Sequence, residues 1–169
     1  MIEVVIDSIR VSLISQQRIV MLREIDGERQ MPIWIGPCEA EAIEIRLRET
    51  EVARPMTHDL LKLVMEDMGG SLHHIVVNSL SDGVFRALLF IDTDGGMREI
   101  DCRPSDAIAL AVRSDVPVYV EEDVMAEAGI TPEPDIAETD GEIPPEEDED
   151  VSSEGLDAFR SFLDNLDDE

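Results

Sequence analysis

The sequence predicts an α+β fold, a mainly antiparallel or mixed sheet with flanking helices, on three observations. Period-two apolar runs bounded by Asp-Gly turns read as strands, runs with helical spacing follow them, and the order of hairpin, strand and helix occurs twice. At 169 residues and 43% hydrophobic content the chain has room for one ordinary core plus an appendage. The expected organisation is one domain over 1–130, an acidic disordered linker over 131–153 and a short amphipathic helix over 154–169.

The first segment alternates apolar residues at Ile2, Val4 and Ile6, then at Ile9, Val11 and Leu13, so the buried phase slips by one around Asp7-Ser8. A long strand with a bulge follows from that slip. Gln17 to Ile25 reads as a second strand, Asp26-Gly27 as a tight hairpin turn and Met31 to Ile35 as a third strand, which Pro32 demotes to an edge or bulge position. After Pro37 the period changes to helical, with Ala40, Ile43 and Leu47 on one face. Thr57 is the expected N-cap of a second helix that Gly69-Gly70 closes, with Leu60, Leu61, Val64 and Met68 as its buried stripe.

The chain then starts again. Strands are expected at Leu72 to Leu80, Val84 to Asp92 and Met97 to Arg103, with turns at Ser81-Asp82-Gly83 and around Asp94-Gly95-Gly96, and a helix from Pro104 to Arg113. Pro37 to Arg46 (PCEAEAIEIR) and Pro104 to Arg113 (PSDAIALAVR) match at an offset of 67 in proline, acid, two alanines, two aliphatics and the closing arginine. Ile33 and Ile35 correspond to Ile100 and Cys102 at the same offset, and each copy carries an Asp-Gly turn upstream, so duplication explains the order of elements better than coincidence. A short strand at Val118 to Val120 and one or two helical turns end the body. In the last segment Leu156, Phe159, Phe162 and Leu163 share one helical face.

Charge is the most unusual bulk property: 40 acidic against 13 basic residues give a net −27. Residues 131–169 hold 16 of the acids and one arginine, leaving 24 acids against 12 bases before them, so both parts are acidic. Lys62 is the only lysine. An acidic, lysine-poor surface suits a cytoplasm of molar salt, where a Debye length of about 3 Å screens the self-repulsion. This halophilic expectation fails if the melting temperature falls as KCl rises. No apolar run reaches the roughly 20 residues that span a bilayer, and no basic n-region with a cleavage site opens the sequence, so no membrane association and a cytoplasmic protein are expected. Cys38 and Cys102 form no CxxC pair and read as idle thiols in a reducing compartment. GxGxxG, Walker, GxSxG and HExxH signatures are missing, and with aromatics at 4% a stacking groove for single strands has little support.

The polar residues that invite chemistry are Glu39, Arg54, His58, Asp59, Asp101, Arg103 and Asp106. Glu39, Asp59 and Asp106 each fall in the first turn of an expected helix, where a carboxylate is favoured by about 0.3–1 kcal/mol, so capping alone explains all three. The repeat adds a functional alternative. Glu39 and Asp106 are equivalent positions and could meet across a pseudo-twofold axis, with His58 and Asp59 as neighbours. Asp101 stands where the first copy has Trp34, which points to a polar site on the second copy or simply to solvent exposure. Carboxylates with a histidine are ligand types for Mg²⁺ or Mn²⁺, ions that activate water in phosphodiester hydrolysis. Arg54 and Arg103 suit phosphate contact, or the pairing of a neighbouring acid. His73 and His74, adjacent in a strand, should project to opposite faces.

The runs MPIWIGPCEAEAI, RPMTHDLL and IDCRPSDAIALAVRSDVPVYVEEDV resemble the bifunctional nuclease domain family of bacteria, archaea and plants. The resemblance covers Met1 to Gly129, and the terminal FRSFLDN is similar to a short C-terminal segment of many prokaryotic members. It implies a duplicated α+β unit, association as homodimers or higher homo-oligomers, and nuclease activity on DNA and RNA as attributed to some plant members. It carries no established catalytic set onto these positions.

The leading expectation is therefore a low-specificity nuclease assisted by Mg²⁺ or Mn²⁺, with Glu39, Asp101 and Asp106 as metal ligands. His58, with Asp59 beside it, would shuttle protons or ligate, and Arg54 and Arg103 would steady the scissile phosphate. The −12 charge of the body opposes nucleic-acid affinity, which ordinarily comes from Lys and Arg on phosphates. The competing expectation is a non-catalytic oligomeric binding or scaffold module in which the acids are only caps.

Overall fold

A computed structural model describes residues 1–12 and 17–132. The acidic stretch from Glu133 and the amphipathic segment expected at 154–169 lie outside the described residues.

Seven strands form one mixed sheet in the order β3-β2-β1-β7-β4-β5-β6. In chain order these are β1 (Ile2–Val11), β2 (Arg18–Glu24), β3 (Gln30–Ile35), β4 (Ser71–Ser81), β5 (Val84–Asp92), β6 (Arg98–Cys102) and β7 (Val118–Val120). The helices are α1 (Pro37–Leu47), α2 (Thr57–Asp67), α3 (Pro104–Ser114) and α4 (Glu122–Ala128). Each copy is an antiparallel three-stranded meander followed by a helix, which gives the α+β fold the sequence predicts. β7 joins the two meanders, antiparallel to β1 and parallel to β4. The phase slip at Asp7 is a bulge, where the register with β2 jumps between Ile6 and Ser8. β3, with Pro32, lies at one edge of the sheet, so the missing N–H costs no interior ladder bond. Its start is clamped to Ile130 by a reciprocal pair of 2.7 Å backbone bonds with Gln30.

One apolar cluster unites Val20, Leu22, Ile33, Ile75, Val77 and Leu89 of the sheet with Ile43 of α1, Ala107 to Ala111 of α3 and Met125 of α4. α3 packs against α1, α2, β4 and β5. Among the described residues no helix is long and apolar enough to cross a membrane.

Two expectations fail here. The stripe Leu60, Leu61, Val64 and Met68 is not buried: α2 has no buried residue, and Met68 is 82% exposed. The periodicity is real, but α2 is tied to α3 by polar side chains, His58, Asp59 and Lys62, and only Met65 packs on the core, while Leu61, Val64 and Met68 line an open groove of about 520 Å³. His73 and His74 do not diverge either. A bulge in β4 between Leu72 and His74 brings their Nδ1 atoms to 2.7 Å, and His74 stacks on Phe90 at 4.2 Å.

Candidate active site

α1 and α3 begin alike. Pro37 and Pro104 each take the first helical position, where a missing N–H costs nothing, and each helix carries an acid in its first turn, Glu39 and Asp106. The two starts lie close enough for Arg103, the residue before α3, to reach both acids. Its Nη1 donates to Glu39 Oε1 at 3.0 Å, while Nε and Nη2 donate to Asp106 Oδ2 and Oδ1 at 2.8 and 3.0 Å. The guanidinium fork is thus bidentate on Asp106 and single on Glu39. His58, in the first turn of α2, completes the group with Nε2 at 3.3 Å from Asp106 Oδ1, a bond the imidazole donates when Nε2 carries the proton. Burial alone would raise the Asp106 carboxyl, but Arg103 and His58 outweigh it and hold it below the ordinary Asp range.

Asp59 points elsewhere. It accepts the Met56 backbone N–H at 2.9 Å, so Met56 rather than Thr57 occupies the N-cap position and the capping side chain comes from inside the first turn. Its other oxygen accepts Arg113 Nε at 2.7 Å. Burial would raise Asp59, but the Met56 N–H and Arg113 prevail and lower it. The Arg113 side chain is 3% exposed and each of its three nitrogens donates, with Nη1 reaching Ala109 O at 2.8 Å and Nη2 Ala42 O at 3.0 Å. Those two carbonyls belong to equivalent alanines of the two copies. Lys62 donates to the Arg113 carbonyl at 2.9 Å. Asp59 and Arg113 therefore lock α2 to α3 and α1, and fix the turn that presents His58.

The sequence-derived set thus divides. Glu39, His58, Arg103 and Asp106 converge. Asp59 faces Arg113, and Arg54 lines a separate cavity of about 600 Å³ with Arg46, Asp59, Lys62 and Arg113. Asp101 is exposed on the edge strand β6, and its carboxylate makes no hydrogen bond or ion pair among the described residues. Burial, with Asp106 and Asp101 nearby, pushes the neighbouring Cys102 thiol up to about 11, so it stays protonated at neutral pH. The residues expected to hold Mg²⁺ or Mn²⁺ do not fit such an ion as arranged. Glu39 and Asp106 both turn onto Arg103, and among the described residues no three His, Cys, Asp or Glu side chains are grouped to hold a metal. Sequence reasoning missed Arg113, whose available signal was that an arginine closes both copies of the repeat.

The cluster can orient an imidazole against a carboxylate and present cationic N–H groups beside it. Three of the five Arg103 donors are engaged, and the side chain is 65% exposed, which leaves one N–H on each Nη for an anion.

Comparison with known proteins supplies the family context. Residues 20–133 match the family described as bifunctional nuclease domain. An uncharacterized protein of Mycobacterium tuberculosis is 38% identical over 168 residues, 97% of this chain and 94% of that protein. Bifunctional nuclease 2 of Oryza sativa subsp. japonica is 30% identical over 118 residues, 68% of this chain and 36% of that protein. Bifunctional nuclease 1 of Arabidopsis thaliana is 28% identical over 105 residues, 60% of this chain and 32% of that protein.

Proposed function

The chain belongs to the bifunctional nuclease domain family, and we propose that it hydrolyses phosphodiester bonds of DNA or RNA, with low sequence preference, at the cluster of His58, Arg103 and Asp106. The observation that carries this reading is the His58–Asp106–Arg103 contact itself, a histidine held by a carboxylate next to an arginine with donors to spare.

The chemistry asks three things of these side chains. Asp106 accepts from Nε2–H and fixes the imidazole tautomer, which leaves Nδ1 to take a proton from the attacking water. Water oxygen bonds to phosphorus, its proton passes to His58, the ester P–O bond breaks and the leaving oxygen is protonated from the imidazolium or from solvent. Arg103 holds a nonbridging phosphate oxygen and offsets the negative charge that develops there. Glu39 positions Arg103 from the opposite side.

The test is cleavage of single-stranded DNA and RNA in high KCl, with Mg²⁺, with Mn²⁺ and with a chelator, comparing the native chain with His58→Gln, Asp106→Asn and Glu39→Gln. Loss of a proton-transfer group should cost about 10²- to 10⁴-fold in His58→Gln. Asp106→Asn should fall comparably and Glu39→Gln by less than tenfold. Cleavage untouched by His58→Gln and Asp106→Asn removes these residues from any mechanism. A second reading, a non-catalytic binding or scaffold module, draws on one observation: each charged group of the cluster already has an internal partner. Under it none of these proteins cleaves under any ion condition.

A further inference from the structure

Trp34 is the only tryptophan among six aromatic residues, and it is 56% exposed. β3 explains why: Met31, Ile33 and Ile35 are buried, so the intervening Trp34 is left on the opposite face of an edge strand. The indole does not stand alone. It lines a cavity of about 280 Å³ with Gly36 after β3, Val84 and Phe85 at the start of β5, and Arg103 and Pro104 at the start of α3. The lining carries one arginine and no carboxylate, in a chain with 40 acidic residues. The cavity beneath the α1–α2 connection, by contrast, has no aromatic lining and mixes four carboxylates with four cations. An aromatic face, an apolar floor and an arginine that keeps one free N–H on each Nη while Glu39 and Asp106 hold its other donors fit a ligand that joins a flat ring to an anion.

We propose that Trp34 and this cavity form a nucleobase-stacking subsite, which takes one unpaired base of a strand whose adjacent phosphate lies against Arg103. The inference rests on the nuclease reading and adds to it a substrate form, the single strand, held by one indole rather than by the stacking groove that a chain with 4% aromatics does not offer. A base inside a duplex is stacked on its neighbours and its faces are covered, whereas an unpaired base offers a π-face to the indole whatever its identity. Stacking also bypasses the charge problem of an acidic body, because it does not depend on phosphate neutralisation and is not screened by salt.

Trp34 reports on its own occupancy, since all indole emission arises from it. In the His58→Gln protein, to prevent turnover, a ten-residue oligothymidylate should quench that emission saturably in high KCl. The same sequence as a duplex, and thymidine monophosphate, should bind at least tenfold more weakly. Anisotropy of a labelled oligonucleotide should show Trp34→Leu weakening strand binding tenfold or more, while Trp34→Phe, which keeps a ring, stays within about threefold. Unchanged melting of both variants ties the effect to the exposed ring. The subsite is overturned if no quenching occurs, if the duplex or the mononucleotide matches the strand, or if Trp34→Leu binds normally. It is equally overturned if Trp34→Leu changes sedimentation without changing strand affinity, because the indole then covers a second copy. Cleavage that is indifferent to Trp34 sinks the subsite alone. Strand binding that needs Trp34 in a chain that cleaves nothing sinks the nuclease reading alone.

Discussion

α1 and α3 descend from one pattern, opening with proline and an early acid and closing with arginine, yet they occupy different environments. α1 buries only Ala40, Ala42 and Ile43. α3 buries eight residues, from Pro104 through Arg113. The difference follows from position, because α3 has α1 and α2 beside it and the second meander beneath. Identical ends then acquire different tasks. Arg46 donates one bond, at 3.3 Å, to the Val112 carbonyl, whereas Arg113 is enclosed and bonded to Asp59, Ala42 and Ala109. Gly36 precedes α1 where Arg103 precedes α3. Duplication supplied the frame, and divergence at these two pairs turned one helix start into a charged cluster.

The largest effect should separate the two closing arginines. Arg113→Ala leaves the Asp59 carboxylate and two helix carbonyls without their donor and should cost about 3–5 kcal/mol in denaturant unfolding. Arg46→Ala should cost less than about 1 kcal/mol. Equal losses would erase the distinction.

Acid comes next. Asp59 and Asp106 are both held below the ordinary Asp value, so their contribution to stability is complete above about pH 4, where an unfolded aspartate is ionised, and is lost as pH falls through the folded values. Urea midpoints measured from pH 6 to pH 2 should fall less steeply in Asp59→Asn and Asp106→Asn, each starting from a lower stability at pH 6.

The smallest effect concerns Gly36. Its φ of −69° suits any residue, but a Cβ there would collide with the Glu39 carboxylate. That carboxylate is the free end of a flexible side chain and can swing away. Gly36→Ala should therefore shift stability by less than about 1 kcal/mol, with the gain from a stiffer unfolded chain offsetting the displaced acid. Its signature is a weakened Glu39–Arg103 pair, read as cleavage resembling that of Glu39→Gln.

Much of this arrangement was legible in the amino acids. The phase slip at Asp7 located the bulge, Pro32 marked the edge strand, and the offset of 67 made Glu39 and Asp106 equivalent, from which their approach followed. What stayed hidden is tertiary. The α2 stripe states that one face is apolar and not what it faces. The β4 bulge beside His73 carries no glycine or proline to announce it. Arg113 reads as a solvated last-turn cation until the helices around it are in place. Arg103 is the same lesson at the site: a spacing can align two acids, but only the packed helices show a guanidinium standing where a metal ion was expected.

β7 has three residues, and it alone joins the two meanders into one sheet. Within each meander pairing is local, but Ile2 meets Val120 across nearly the whole described chain. On a ribosome the first meander therefore emerges with the β1 edge unfilled, and stays so until the second meander and α3 have followed it out. Closing that long loop is an entropically expensive step and should come late. The wait falls on an open strand edge during synthesis, so the order in which this protein is made leaves a pairing surface bare before its partner strand exists.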